Sequence, residues 1–474
     1  MPIGAAMGWL AEQDPHAPAI TIEGRTVTRL ELERRSNRLA RAYEALGVGQ
    51  DDFVTIGLPN GIEFYEACLA TWKLGATPQP VSSRLPARER EAIVDLVKPA
   101  LVVGAEGGLP AGYEPDPSID DGPLPERTAA ALKAPTSGGS TGRPKVIVSG
   151  QPGVVDPESS AGFGQRPNQV QLVPGPLYHN GPFMFSMDGL LRGGHLVVMP
   201  RFDASHALRL VEEHGVQWIL LVPTMMLRIW RLPAEERLRR DVSSIEAILH
   251  LAAPCPPWLK EAWIEWLGGE KVWELYAGTE AQGVTIIRGD EWLLRRGTVG
   301  KPTPVCEMRI LDDDGNELPP GEVGELWMRP VDRTVRTYRY IGAEARARDE
   351  GWESLGDMGW MDTDGYLYLA DRRADMILSG GANIYPAEVE HALEEHPAVR
   401  SCAVIGVPDE DLGKRVHAIV HVEGAVDDDE LRVFLAERLV RYKIPRTFER
   451  VEGPVRDDAG KVRRSALAEE RSRS

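Results

Sequence analysis

Apolar residues recur at helical spacing across residues 28–46 (Leu30, Leu32, Leu39, Ala40, Tyr43, Leu46) among charged ones, which predicts an amphipathic helix. FVTIGL at 53–58 reads as a buried strand, residues 62–74 as a second helix and 78–81 as a short strand. Such alternation marks an α/β layered domain built on a largely parallel sheet. Residues 104–134 break the pattern, being dense in Gly, Pro and Asp, and read as a surface connection. Strand and helix signals resume over 170–284. Short strands at 308–311 and 324–328, with a turn at 312–315, then predict a β subdomain.

A second boundary is expected near 371–372. Beyond it come a helix at 386–393 with proline near its first position, strands at 402–405 and 416–421 around a turn at 408–413, and a helix at 431–439. The expected division is a large domain over 1–370 and a small α+β domain over 371–474. No internal repeat is visible.

Composition sharpens this picture by exclusion. The 474 residues are 42% hydrophobic and 27% charged, the balance of an ordinary globular protein with more than one domain. A net charge of -18 disfavours nucleic acid or an anionic membrane as a main partner. The opening MPIGAAMGWLAEQDPHAP has no basic segment followed by a long apolar run, so no secretion signal is expected. No apolar stretch approaches membrane-spanning length. Cys68, Cys255, Cys306 and Cys402 are far apart and read as reduced residues of a cytoplasmic protein.

The chemistry begins at SGGSTGRPK, residues 137–145. Glycines let backbone N–H groups approach an anion, hydroxyls add donors, and Lys145 supplies a charge for phosphate oxygens. A Walker loop would place the lysine directly after glycine, but Arg143 and Pro144 intervene. The glycines do not follow the Rossmann spacing either. Taken alone, such a run is more often a flexible linker.

This stretch resembles the signature loop of the adenylate-forming enzymes, the family of acyl- and aryl-CoA synthetases, firefly luciferase and peptide-synthetase adenylation domains. Their loop reads approximately [ST]-[SG]-G-[ST]-T-G-x-P-K-G, and the chain departs from it only at Val146. Further elements follow in family order. WELYAGTE at 273–280 resembles Y-G-x-T-E, with Ala277 in place of glycine. HLAAP at 250–254 resembles the G-A-P turn, with Ala252 in place of glycine. LGD at 355–357 resembles T-G-D, DRRAD at 371–375 resembles G-R-x-[KD]-D, and GKVRR at 460–464 resembles G-K-x-x-R.

The resemblance implies a large α/β domain with a β subdomain, a small mobile C-terminal domain, and a set of roles. Ser137, Gly138, Gly139, Ser140, Thr141, Gly142 and Lys145 would cradle the triphosphate of ATP. Tyr276 would stack on adenine beside Ala252, Ala253 and Pro254, Asp357 would accept the ribose hydroxyls, and Arg372 would reach ribose or phosphates. Thr279 would bond the α-phosphate, Glu280 would hold Mg²⁺, and Lys461 would bridge the reacting carboxylate and α-phosphate. PLYHNGPFMF at 176–185 resembles the segment beside the acid pocket, making His179 a gate. Met184, Trp218, Met225, Met226, His250, Ala277 and Gly278 would complete that pocket. Gly380 and Gly381 would line a pantetheine tunnel, with Ala374 as hinge. Taken singly, each of these segments reads as ordinary structure; the ordered set does not.

The implied reaction joins a small carboxylic acid to ATP, giving an acyl-adenylate and pyrophosphate, and then transfers the acyl group to CoA. A carrier protein's pantetheine, an amine or another nucleophile remains open as acceptor, as does an unusual acid. A non-catalytic nucleotide-binding relative would have no need of Glu280, Asp357, Arg372 and Lys461 together. The acid and the oligomeric state are not readable.

Overall fold

The computed structural model describes residues 1–105, 107–138, 144–160, 162–457 and 460–472. Thr28 starts the first long predicted helix, observed as Arg29–Ala45. Its hydroxyl accepts from the Glu31 amide while the Glu31 carboxylate accepts from the Thr28 amide, so two otherwise unpaired donors are satisfied. Leu46, counted on the apolar stripe, falls past the helix end and is exposed. An unpredicted helix, Ile3–Gln13, packs Ile3, Met7 and Leu10 into the same core.

The centre of the large domain is a nine-stranded sheet. Its strands lie in the order Lys301–Pro302, Val284–Arg288, Val272–Ala277, Ala247–His250, Trp218–Leu221, Val170–Val173, His195–Val198, Pro18–Ile22 and Arg25–Thr28. From Val272–Ala277 to Pro18–Ile22 every pairing is parallel; antiparallel strands close both edges. A second parallel sheet holds Thr77–Pro80, Phe53–Ile56 and Leu101–Val103. Alternation along each strand divides the packing. Ile219, Leu221 and Ile248 join Leu259 and Trp263 on one face, while Trp218, Leu220 and Leu249 meet Phe163, Phe185 and Leu251 on the other.

Two smaller sheets frame the site. Pro144–Ser149 lies between Thr136–Gly138 and Tyr338–Ile341, antiparallel to both. The predicted β subdomain is an antiparallel sheet in which Cys306–Leu311 pairs with Gly324–Pro330 across the predicted turn. The small domain wraps the antiparallel pair Val399–Asp409 and Gly413–Val422 around its own core of Ile384, Val389, Leu393, Val404, Leu431 and Leu435.

Two expectations are corrected. The helix placed at 431–439 is Asp428–Ala436, because the Asp427 carboxylate accepts from the Glu430 amide and starts it earlier. The segment 104–134 is a surface connection only in its first part. Its end folds inward, burying Ala129, Ala131, Lys133 and Ala134, with the Trp72 indole donating to the Leu132 carbonyl at 2.9 Å. All four cysteines are free, and among the described residues no helix is long and apolar enough to cross a membrane.

Candidate active site

Open parallel sheets bind ligands beyond the carboxyl ends of their strands, and the candidate residues collect there. Residues 251–254 follow Ala247–His250, the turn 278–281 follows Val272–Ala277, and 174–179 follow Val170–Val173. Both of the first two exits carry backbone strain. Ala252 has φ 77° and Ala281 φ 56°, the left-handed region that glycine occupies without a Cβ clash. Ala252 thus holds a backbone conformation that favours glycine, a strain of the kind that concentrates at functional sites. We expect Ala252→Gly to melt at or above the parent temperature, since relief of the clash offsets glycine's entropy. Ala252→Val should melt lower; thermal unfolding of the three proteins checks this.

The Glu280 carboxylate is buried and faces cations. It accepts from the Lys145 ammonium at 3.3 Å and from the Tyr340 hydroxyl at 2.6 Å, and that ammonium also donates to Tyr340 at 3.0 Å. The strand pairing explains the meeting: Tyr340 and Ile341 lie opposite Ile147 and Val146, next to Lys145. Burial and the Glu280 bond push the Tyr340 phenol up, so it stays a donor. Tyr340 was not singled out in the sequence, where only the alternation of Tyr338 and Tyr340 hints that both face one side. Among the described residues no three metal-ligating side chains cluster. One buried carboxylate with a lysine held against it fits Mg²⁺, which takes one or two protein oxygens and completes its shell with phosphates and water.

Asp357, at the edge of Asp357–Met361, accepts from the Tyr276 hydroxyl at 2.6 Å and from Arg372 Nε at 3.2 Å. Arg372 stands opposite it across the strand pair. The carboxylate raises the arginine's pKa, and burial together with the same carboxylate pushes the Tyr276 phenol up. Thr279 lies half-buried in the turn before Glu280. Leu355 packs against the chain at Gly278, where a Cβ would come within 2.3 Å of its Cδ1. Ser137 pairs with Lys145 across the strands leading to the signature loop. Gly139, Ser140, Thr141 and Gly142 lie outside the described residues.

The small domain sits against this cleft. Gly460 packs on Thr224, where a Cβ would lie 3.2 Å from Oγ1, and Arg231 donates to the Glu394 carbonyl at 3.0 Å. Lys461 is thereby brought into electrostatic reach of Glu280 and Arg372. Crowding by protein atoms pulls its pKa below the usual lysine range, against Asp457; Arg372 adds to the fall and Glu280 opposes it. Its side chain remains open to solvent, so it keeps access to a ligand in the cleft. Ala374 is exposed in the turn between Leu367–Arg372 and Ile377–Ser379.

The acid-pocket set is not brought together. His250, Met225 and Met226 lie on the far face of the sheet. Met225 and Met226 belong to the core there, and His250 faces the buried Lys260–Glu274 pair with Nδ1 4.0 Å from the carboxylate. Burial lowers His250 to about 4 and keeps it neutral. Met184 packs against the core of the N-terminal helices. Trp218 does face the site side, with Leu220, Phe185 and Leu251 as neighbours that the sequence reading missed. His179 stands directly before the helix Asn180–Leu191 without a side-chain capping bond, and Gly181 approaches Leu251. Gly380 and Gly381, both at positive φ, form the two-residue turn of the hairpin Ile377–Ser379 and Ala382–Ile384, which already demands glycine.

Comparison with known proteins decides the family. The AMP-binding enzyme model matches residues 8–338 and the AMP-binding enzyme C-terminal domain model residues 388–461. The chain belongs to the AMP-binding enzymes. It is 33% identical to a feruloyl-CoA synthase of Amycolatopsis sp over 95% of both chains. It is 29% identical to a fatty acid–[acyl-carrier-protein] ligase of Streptomyces coeruleorubidus, over 96% of this chain and 94% of that one. Among solved structures, the o-succinylbenzoate CoA synthetase of Bacillus subtilis with its acyl-adenylate intermediate superposes with TM-score 0.83 at 27% identity. That match covers 98% of each chain. As an AMP-binding enzyme, the chain has the large α/β domain and small C-terminal domain expected of it.

Proposed function

We propose that this AMP-binding enzyme is an ATP-dependent acid–CoA ligase working through an acyl-adenylate. The observation that carries the reading is the approach of Lys461, from the small domain, to the Glu280 side of the large domain. An oxygen of the substrate carboxylate attacks the α-phosphorus of ATP; the bond to the β-phosphate's bridging oxygen breaks and pyrophosphate leaves. Little covalent work falls to the protein, so positioning and charge dominate. Thr279 and Lys461 would face the α-phosphate, Lys145 and the signature loop the departing phosphates, and Asp357 the ribose once Tyr276 and Arg372 yield it. Mg²⁺ held through Glu280 would supply charge neutralisation on the phosphates.

The second step would need another geometry, because a lysine held at the α-phosphate would block the thiol's approach. We place the pivot at Ala374 and the domain division at 1–370 and 371–474. The thiol sulfur then attacks the acyl carbon, AMP leaves with the electron pair of its bond, and the thiol proton passes to solvent. The wall of Trp218, Leu220, Phe185 and Leu251 suits an aromatic or other apolar acid. The relative that loads a carrier protein supports a second reading, in which protein-borne pantetheine replaces CoA. A cytoplasmic setting suits both cosubstrates.

The test is pyrophosphate release with ferulate, 2-succinylbenzoate and octanoate, each without acceptor, with CoA, and with a pantetheinylated carrier protein. CoA-dependent AMP formation and thioester are expected with at least one apolar acid. Acyl-adenylate that CoA does not discharge would move the assignment to the carrier protein, and no pyrophosphate from any acid would remove it.

A further inference from the structure

Among the described residues three lysines are buried: Lys73, Lys133 and Lys260. Two have carboxylate partners, Lys73 with Glu33 at 2.7 Å and Lys260 with Glu274. Lys133 has none. Its ammonium is hydrogen-bonded to the Asn180 amide oxygen, and no carboxylate of the described residues lies within 4.0 Å. A neutral amide does not balance a desolvated charge, and an ammonium without a counter-ion is among the costliest groups a protein interior can hold. Burial accordingly drags its pKa down to about 7, against a raising pull from Glu280.

Its place in the fold suggests what the charge is for. The backbone at Lys133 is pinned: its carbonyl accepts from the Ser149 amide at 2.9 Å, and the next amide donates to the Pro78 carbonyl at 3.0 Å. Three residues on, the chain enters the strand that leads to the signature loop. Asn180 directly follows His179 and opens the helix beside the acid pocket. The Glu280 field reaches the ammonium as well. Lys133 therefore stands where the triphosphate loop, the candidate metal carboxylate and the pocket entrance converge.

We propose that Lys133, with the Asn180 amide, is an oxyanion-binding pair whose counter-ion arrives with the reactants, as the acid's carboxylate or as a phosphate oxygen of ATP. The proposal rests on the ligase reading and adds to it a cation fixed in the large domain. Unlike Lys461, this cation is in place before the small domain closes. Its side chain reaches the site from the segment before the strand Thr136–Gly138, so it can hold an anion from within the large domain. A reactant anion would lift the cost of the buried charge, which would otherwise remain a liability.

The test is Lys133→Met in the full-length enzyme, with Lys133→Gln as second variant. Loss of an uncompensated buried charge should raise the melting temperature of the free protein, most clearly at pH 6, where the lysine is charged. Removal of a ligand's counter-charge should at the same time weaken binding by about tenfold to a hundredfold. Calorimetry with magnesium pyrophosphate and the KM for whichever acid of the panel the wild type activates separate the two sources. A fall in pyrophosphate affinity assigns the phosphate, and a rise in acid KM alone assigns the carboxylate. Variants that melt lower than the parent, or bind both probes unchanged, overturn the proposal. A wild-type protein that binds neither MgATP nor pyrophosphate overturns the ligase reading instead, so the two failures are distinct.

Discussion

Lys461→Ala is expected to abolish adenylation while largely sparing thioester formation from pre-made acyl-adenylate. The approach of a carboxylate to an α-phosphate brings two anions together, and charge gathers on the phosphate oxygens as the attacking bond forms. A cation at that point acts only in the first half-reaction; in the second, the leaving AMP carries its charge into solvent. Removal of one preorganised electrostatic contact of this kind costs about a hundredfold to a thousandfold in rate. The structure makes the assignment specific: Gly460 rests on Thr224, and Lys461 feels both Glu280 and Arg372. Single-turnover pyrophosphate release, and CoA-dependent AMP release from synthetic acyl-adenylate, separate the two steps. Equal losses in both would make Lys461 a structural residue, or show that both steps use one domain arrangement.

The segments around the cleft were legible in the sequence; the faces they present were not. A motif fixes a stretch of chain, and strand alternation then sends neighbours to opposite sides of the sheet. His250 and Leu251 are adjacent, yet only Leu251 faces the pocket side. Met225 and Met226 follow the strand that carries Trp218 and Leu220, and enter the opposite core. Lys133 escaped notice for a different reason. It ends a segment rich in Gly, Pro and Asp that reads as solvated, and only long-range bonds, from Ser149 and from the Trp72 indole to Leu132, draw it inside. Tyr340 meets Lys145 through a strand pairing between segments 195 residues apart in the chain. Local signals were sufficient for the Arg29–Ala45 helix, with its Thr28–Glu31 cap, and the Pro386–Glu394 helix, with proline at its first position; in both the apolar periodicity lies within a few residues.

Glu390→Gln is expected to slow adenylation through Lys461, although Glu390 touches no reactant. Its carboxylate is buried in the helix Pro386–Glu394 and accepts from Arg456 at 2.6 Å and Arg464 at 2.7 Å, residues on either side of the lysine. Arg456 also donates to the Gly460 carbonyl at 3.2 Å, and Arg464 to Asp375 at 3.0 Å, beside the proposed pivot. The loop bearing Lys461 is thus clamped at both ends to one carboxylate. Burial alone would raise the pKa of Glu390, but the two arginines and the Val404 amide hold it below the usual range. A lowered carboxylate stabilises fully above its unfolded pKa and loses that stabilisation as pH falls through the folded one, so the clamp persists at neutral pH and weakens in acid. Glutamine keeps the shape but removes the shared counter-charge, leaving Arg464 with Asp375 and Arg456 with Glu394 at 3.6 Å. The small domain should then lose less than the roughly 3–5 kcal/mol of a fully unpaired buried charge. The decisive measurement is a double-mutant cycle at a temperature where every variant is folded. If Glu390 acts by positioning Lys461, Glu390→Gln should slow adenylation in the wild-type background and add nothing in Lys461→Ala. Thioester formation from acyl-adenylate should change far less in both. Additive losses in adenylation would show that Glu390 supports the small domain as a whole, with no particular hold on the lysine.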